Sequence, residues 1–236
     1  LAAVLMGSLP SEAQAPKRPV EEFATSGGAV RITLIRHASL LIEAPGEAVY
    51  VDPAQGDYKG LPPASLILVT HAHGDHLVPA QIAKLRAATT KVVAPASAAE
   101  KIPGAVVMKN GEMKTVLKWG IEAVPMYNLK RGPSPGAVYH QKGEGNGYVL
   151  TYGGKRFYVA GDTENVPEMR ALKNIDVAFL PMNLPYTMTP EEAAEAAKAF
   201  RPRIVYPYHC RGADLSAFEK ALAGTGIEAR IRDWYY

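Results

Sequence analysis

Short apolar runs of strand length recur along the chain and form two groups. Runs rich in Val, Ile, Leu and Tyr between turn-forming residues are typical of buried or half-buried β-strands. In the first half the predicted strands are Arg31 to Arg36, Leu40 to Glu43, Ala48 to Val51, Leu66 to Val69, Lys91 to Ala94, Thr115 to Leu117 and Ile121 to Pro125. In the second half they are Tyr148 to Tyr152, Arg156 to Ala160, Val177 to Leu180, Ile204 to Tyr206 and Ile227 to Ile231.

Three segments have apolar residues at helical spacing instead: Pro79 to Ala88, Pro190 to Phe200 and Ala213 to Ala223. Thr189 is a suitable N-cap for the second helix, and Glu191 and Glu192 suit its first turn. Because each β-rich half contains helices, we predict an α/β (α+β) fold with two sheets packed face to face and helices outside them.

The first residues differ from the rest of the chain. Leu1 to Ala15 combine a short apolar run with Ala13-Gln14-Ala15, a pattern that signal peptidase cleaves, so we predict a signal-peptide remnant. An ordinary apolar arm is the alternative, and the run is too short to span a bilayer. We predict a linker over residues 16 to 29, one folded domain over residues 30 to 236, and a secreted or periplasmic (bacterial) location.

Composition narrows the classes of partner. The 236 residues are 47% hydrophobic and 21% charged, which fits one well-buried domain. A formal net charge of +3 is too small to indicate nucleic acid or a membrane surface, and it says almost nothing about other partners. We predict no nucleic-acid partner and no stable membrane insertion, and we leave the oligomeric state open. The single cysteine, Cys210, cannot form an internal disulfide, and we expect it to be buried as an apolar residue rather than to bind metal.

The strongest chemical signal follows the apolar run Ser65 to Thr70. There the sequence reads His71-Ala-His73-Gly-Asp75-His76, which contains three of the six histidines in the chain. Imidazole and carboxylate groups are good zinc ligands, and a tight loop after a rigid strand can point such side chains at one or two ions. A histidine-rich surface loop is the alternative, but the clustering favours a metal site.

Two later segments contain further residues of these types. Phe157 to Thr163 contains Asp162, and Arg203 to His209 ends in a histidine. In this order, His-x-His-x-Asp-His and the two later segments resemble the metallo-β-lactamase superfamily over residues 31 to 236. The resemblance implies a four-layer αββα sandwich of two mixed β-sheets. It also implies that Asp162 bridges two metal positions, with Asp75, His76 and His209 at the second. Taken alone, Asp162 would fit a turn residue and His209 a core histidine.

One departure leaves the first metal position incomplete. Many members of the superfamily have a third histidine after the strand that corresponds to Ile121 to Pro125, but this chain has Met126-Tyr127-Asn128 there. Either His140 folds back to join His71 and His73, or the position has two imidazoles. The number of bound metals, one or two, therefore stays open.

Two upstream segments also match. Arg36 to Glu43 and Val51-Asp52-Pro53 resemble the branch that contains ascorbate-6-phosphate lactonase and the phospholipase D that cleaves N-acyl phosphatidylethanolamine. We predict that Asp52 accepts a hydrogen bond from a metal-bound imidazole, with a turn-forming Asp-Pro as the alternative. For His37, a hydrogen-bond donor in the cleft wall and a buried structural histidine are equally good interpretations.

These residues predict a metal-dependent hydrolase. The expected cofactor is one or two Zn²⁺, with Mn²⁺ or Fe²⁺ as alternatives, and Asp75 is the predicted catalytic residue that orients water and accepts its proton. We expect an ester, lactone or phosphodiester substrate, that is, lactonase or phosphodiesterase chemistry on an anionic small molecule. Cations on nearby loops either bind the anionic group or are plain solvated surface: Lys130, Arg131, Lys142 and Arg211. The alternatives are a β-lactamase-like amide hydrolase, a nuclease of the superfamily and a non-enzymatic secreted metal-binding protein.

Overall fold

Two seven-stranded sheets form the centre of the computed structural model, which describes residues 18 to 236. The first sheet contains, in spatial order, β1 (Val20–Phe23), β2 (Val30–Arg36), β3 (Ser39–Ala44), β4 (Glu47–Val51), β5 (Ala64–Leu68), β6 (Arg86–Ala94) and β7 (Val106–Val107). The pairs from β1 to β4 are antiparallel and those from β4 to β7 are parallel. The sheet is therefore mixed, as predicted.

The second sheet has the same pattern. In chain order its strands are β8 (Met113–Val116), β9 (Trp119–Met126), β10 (Gly145–Tyr152), β11 (Lys155–Val159), β12 (Val177–Pro181), β13 (Ile204–Tyr208) and β14 (Glu228–Ala229). Strands β8 to β11 pair antiparallel and β11 to β14 pair parallel. Since parallel strands end at one edge of a sheet, the loops that follow β11 and β13 lie close together.

Helices cover the outer faces. They are α1 (Pro79–Leu85), α2 (Ala96–Ala99), α3 (Pro167–Arg170), α4 (Pro190–Phe200) and α5 (Leu215–Leu222). Strand residues alternate between two clusters: Ile32 and Leu40 belong to the core that includes the second sheet, whereas Leu41 packs with Ile82 and Leu85 of α1. This alternation places α1 outside the first sheet and gives the predicted layered sandwich.

The helix α4 shows why the sequence pattern was informative. Its bounds are those predicted, and Thr189 and Glu192 form a reciprocal capping box with hydrogen bonds of 3.1 and 2.9 Å. Such a cap stabilises a helix by about 1 kcal/mol. Ala193, Ala197 and Phe200 are buried on its inner face.

Two predictions about the chain path need correction. The linker predicted over residues 16 to 29 contains strand β1, which pairs with β2, and Glu21 in it accepts hydrogen bonds from Arg230 and Arg232 at 2.9 and 2.5 Å. The proline and glycine residues around β1 hid this edge strand. The helix predicted over Pro79 to Ala88 ends at Leu85, because the chain turns to the extended conformation at Arg86 and pairs with β5.

Residues 1 to 15, the predicted signal-peptide remnant, lie outside the described residues. Across residues 18 to 236, none of the helices is long and apolar enough to cross a bilayer.

Candidate metal centre

All six histidines of the chain come together at one edge of the sandwich, although they lie between positions 37 and 209. The ring centroids of His71 and His76 are 4.1 Å apart, and those of His76 and His209 are 5.2 Å apart. Loops after β5 and β13 carry these three residues, as the sequence predicted. The ring centroids of two further histidines, His73 and His140, are 4.9 Å apart.

The first group of donors contains His71, His73 and His140, each offering a nitrogen within 4.8 Å of the others. His140 Nε2 is 3.2 Å from His73 Nδ1 and 3.7 Å from Asp162 Oδ2. Of the two alternatives left open by the sequence, the structure therefore shows His140 folded back onto the predicted first metal position. Its role as a ligand stays a prediction.

Asn128 explains how His140 reaches this position. The Asn128 Oδ1 atom accepts hydrogen bonds from the backbone N–H of His140 at 2.9 Å and from its Nδ1 at 2.7 Å. With the hydrogen on Nδ1, the Nε2 lone pair is free to bind a cation. Sequence reasoning missed Asn128, although the missing histidine at 126–128 was the signal that could have found it.

The second group contains Asp75, His76, Asp162 and His209. His209 Nε2 is 3.2 Å from Asp75 Oδ2 and 3.3 Å from Asp162 Oδ2, while His76 Nε2 is 3.3 Å from Asp162 Oδ1. Asp162 thus faces donors of both groups, the position expected of a bridging carboxylate.

Asp52 lies behind His76, as predicted. Its Oδ2 is 2.7 Å from His76 Nδ1, and its carboxylate accepts hydrogen bonds from the backbone N–H and hydroxyl of Thr70 at 2.7 and 2.6 Å. Asp52 is completely buried. A carboxylate on Nδ1 orients the ring so that Nε2 points into the site. Thr70 was not singled out from the sequence.

The electrostatics of the cluster favour bound cations. Burial lowers the pKa of His71 well below its usual value and that of His140 to about 4, so both rings are neutral. Burial alone would raise the pKa of Asp162, but His209 and His76 outweigh it and lower that pKa well below its usual value. Burial likewise opposes the charged form of His76, but the carboxylates of Asp162 and Asp52 raise its pKa well above the usual value. The site therefore combines the neutral rings of His71 and His140 with the ionised carboxylate of Asp162, and the negative charge around His76 favours a cation there.

Buried polar atoms without partners test whether a metal fits. In the described part of the chain, His71 Nε2, His76 Nε2 and Asp162 Oδ1 are buried and have no hydrogen-bond partner, although the last two atoms lie 3.3 Å from each other. One atom from each of these residues lies within 4.8 Å of the others. A buried polar atom left unpaired costs about 1–3 kcal/mol, and divalent cations bound here would satisfy these atoms. The residues present therefore fit a divalent metal, with Zn²⁺ suited to nitrogen and oxygen donors.

Cys210 is buried, and burial raises the pKa of its thiol to about 12. A protonated thiol suits the apolar role predicted for it. Of the loop cations, Lys130 and Arg131 pair with Glu192 at 3.2 and 2.7 Å, and Lys142 pairs with Glu168 at 2.6 Å. Arg211 is exposed and forms no ion pair within residues 18 to 236, which leaves it the most available of the four.

Comparisons with known proteins show the family of the chain. The sequence model of a protein family, the beta-lactamase superfamily domain, matches residues 31–209. A UPF0173 metal-dependent hydrolase of Thermococcus kodakarensis is 34% identical over 76% of this chain and 84% of that protein. A crystal structure from Parabacteroides distasonis, named as a metal-dependent hydrolase, is 42% identical, with a TM-score of 0.86 over 91% of this chain and 98% of that one.

A metallo hydrolase of Ignicoccus hospitalis, 24% identical, shares the fold with a TM-score of 0.70 over 86% of this chain and 95% of its own. The predicted superfamily, the layered fold and the hydrolase class are confirmed. The chain belongs to the beta-lactamase superfamily and is a metal-dependent hydrolase of the metallo-β-lactamase fold.

Proposed function

We propose that this protein hydrolyses an ester, lactone or phosphodiester bond in a small anionic molecule, using one or two divalent ions, with Zn²⁺ as the first candidate. The observation that carries the proposal is the convergence of the six histidines with Asp75 and Asp162. Their buried atoms His71 Nε2, His76 Nε2 and Asp162 Oδ1 have no hydrogen-bond partner. His71, His73 and His140 would hold one ion, and Asp75, His76 and His209 the other, with Asp162 between them.

A bound divalent ion supplies a Lewis acid and lowers the pKa of water from 15.7 to about 7. The protein's own residues orient the reacting groups. The Asp75 side chain is 37% exposed, whereas those of Asp52 and Asp162 are 0% and 4% exposed. Asp75 is therefore the carboxylate on the open side of the cluster, where it can orient the attacking water and accept its proton.

A cavity beside the first donor group supports a small substrate. It has a volume of about 160 Å³, and its walls include His73, Met126, Tyr139 and His140. This volume suits one substituent of a small molecule. Arg211, on the loop after His209, is placed to receive an anionic group on the other side.

The test combines metal analysis with a substrate panel. Protein purified without added metal is analysed for bound ions and assayed on an ester, a lactone, a phosphodiester and a β-lactam, with and without chelator. We expect hydrolysis of one of the first three, loss with chelator and recovery with Zn²⁺. Turnover of the β-lactam alone would favour the amide-hydrolase alternative, and tight metal binding without any turnover would favour a metal-binding protein.

The location belongs to the proposal as well. The small-x-small pattern at Ala13-Gln14-Ala15 supports export, and fractionation of cells that express the tagged protein tests it. Recovery of the intact tagged protein in the cytoplasmic fraction would contradict a secreted or periplasmic location.

A further inference from the structure

His37 and Tyr235 form a hydrogen-bonded chain that ends on Asp75. The His37 Nε2 atom is 3.3 Å from Asp75 Oδ2, and His37 Nδ1 is 2.7 Å from the Tyr235 hydroxyl. His37 is 6% exposed. This contact joins residues 198 positions apart, and the mechanism above makes no use of it.

The available hydrogens determine which group donates in each of these two hydrogen bonds. A carboxylate has no hydrogen to donate, so His37 Nε2 must donate to Asp75. In a neutral ring, Nδ1 then accepts, and the Tyr235 hydroxyl is its donor. Burial raises the pKa of Tyr235 to about 12, so the phenol keeps its hydrogen.

The backbone at His37 is held in an unusual conformation. His37 and His209 both have positive φ, 58° and 44°, which costs a residue with a side chain of this size about 1 kcal/mol or more. The His209 N–H donates to the His37 carbonyl at 3.0 Å, and the two ring centroids are 3.8 Å apart. The His37 turn is thus tied directly to a predicted ligand.

Tyr235 is fixed independently of the metal centre. On one side, Trp234 Nε1 donates to the Pro207 carbonyl at 2.6 Å; on the other, the Tyr236 hydroxyl bonds to the carbonyls of Leu34 and Ile35. The phenol is therefore preorganised to present its hydroxyl to His37.

We propose that Tyr235 is a positioning residue: its hydroxyl fixes the tautomer of His37, and through His37 it holds Asp75 in the geometry that binds the second ion. This inference rests on the proposed function for its metal. Without the phenol hydroxyl, His37 can place its hydrogen on Nδ1, and the lone pair of Nε2 then opposes Asp75. Partners of this kind change metal affinity by about 10–100-fold.

The test compares Tyr235→Phe with Tyr152→Phe. Each change removes one hydroxyl that forms a hydrogen bond, but the Tyr152 hydroxyl donates to the Gly27 carbonyl at 2.9 Å and has no contact with His37. Zn²⁺ affinity is measured by competition with a chromophoric chelator, the Co²⁺-loaded proteins are compared by visible absorption, and the thermal unfolding of the metal-free proteins is measured. We expect Y235F to weaken the binding of one of the two ions about tenfold or more and to alter the Co²⁺ spectrum, and Y152F to do neither.

A double substitution separates positioning from general destabilisation. In His37→Gln the side-chain amide donates to Asp75 without needing the tyrosine, so adding Y235F to it should cause no further loss of affinity. Equal affinities and spectra for Y235F and the wild type would overturn this proposal alone. It would also be overturned if Y235F reduced Zn²⁺ affinity as much in the His37→Gln background as in the wild type. A wild type that binds no divalent ion would overturn the proposed function and this inference together.

Discussion

Replacing Asn128 by alanine tests how the first donor group is assembled. The change removes the acceptor for two hydrogen bonds from His140, one from its backbone N–H at 2.9 Å and one from Nδ1 at 2.7 Å. Because His140 is 3% exposed, water does not replace that acceptor. At about 1–3 kcal/mol for each unpaired group, we expect a loss of about 2–6 kcal/mol in the free energy of unfolding.

Metal affinity gives the second readout. Freed from Asn128, the His140 ring can turn its Nε2 away from His73, so Zn²⁺ affinity at the first position should fall about 10–100-fold. Asn128→Asp is the matched control: it keeps the acceptor but loses the bond to the Tyr186 carbonyl at 2.8 Å and puts a carboxylate beside Glu164. We expect N128D to be destabilised and to bind Zn²⁺ more tightly than N128A.

Chelator competition and thermal unfolding of the metal-free proteins separate these effects. If N128A bound both ions with wild-type affinity, Asn128 would not control the ligand geometry and His140 would not be a ligand. If N128A and N128D lost affinity to the same extent, destabilisation alone would explain the result.

Asp52→Asn should weaken Zn²⁺ binding about 10–100-fold, because it removes the charged acceptor on His76 Nδ1; wild-type affinity in a chelator titration would contradict this. Arg211→Ala should raise KM for an anionic substrate while leaving metal content unchanged, and an unchanged KM would show that Arg211 is plain surface. Cys210→Ala should keep wild-type metal content by atomic absorption, since a buried protonated thiol does not bind the ion; loss of an ion would make Cys210 a ligand. Glu21→Gln should lower the free energy of unfolding by about 1 kcal/mol in a denaturant titration and leave metal binding unchanged. An unchanged free energy of unfolding would mean that β1 is held by its backbone pairing alone.

The parts of the site that the sequence could predict are local or end a predicted strand. Residues 71 to 76 span six positions in the loop after β5, and Asp162 and His209 follow β11 and β13. His140 could not be assigned, because its position depends on a hydrogen bond to Asn128 across a loop. Tyr235 gave no signal, since its contact with His37 exists only after both sheets have packed.

The fold shows the same division. Periodicity and capping predicted α4 with its bounds, whereas α2 and α3 have four residues each and are too short to show a helical period. Strand β1 was hidden because its sequence, Val-Glu-Glu-Phe, lacks the alternation of apolar and polar residues, and because prolines and glycines surround it. Sheet pairing decided both this strand and the end of α1.

The central claim is that seven side chains from four loops surround one or two divalent ions. Anomalous diffraction at the zinc edge from crystals grown with Zn²⁺ tests it most directly. We expect anomalous peaks within coordination distance, about 2.0–2.2 Å, of His71, His76 and Asp162. Zinc bound only at other surfaces, with these three side chains free of it, would contradict the account.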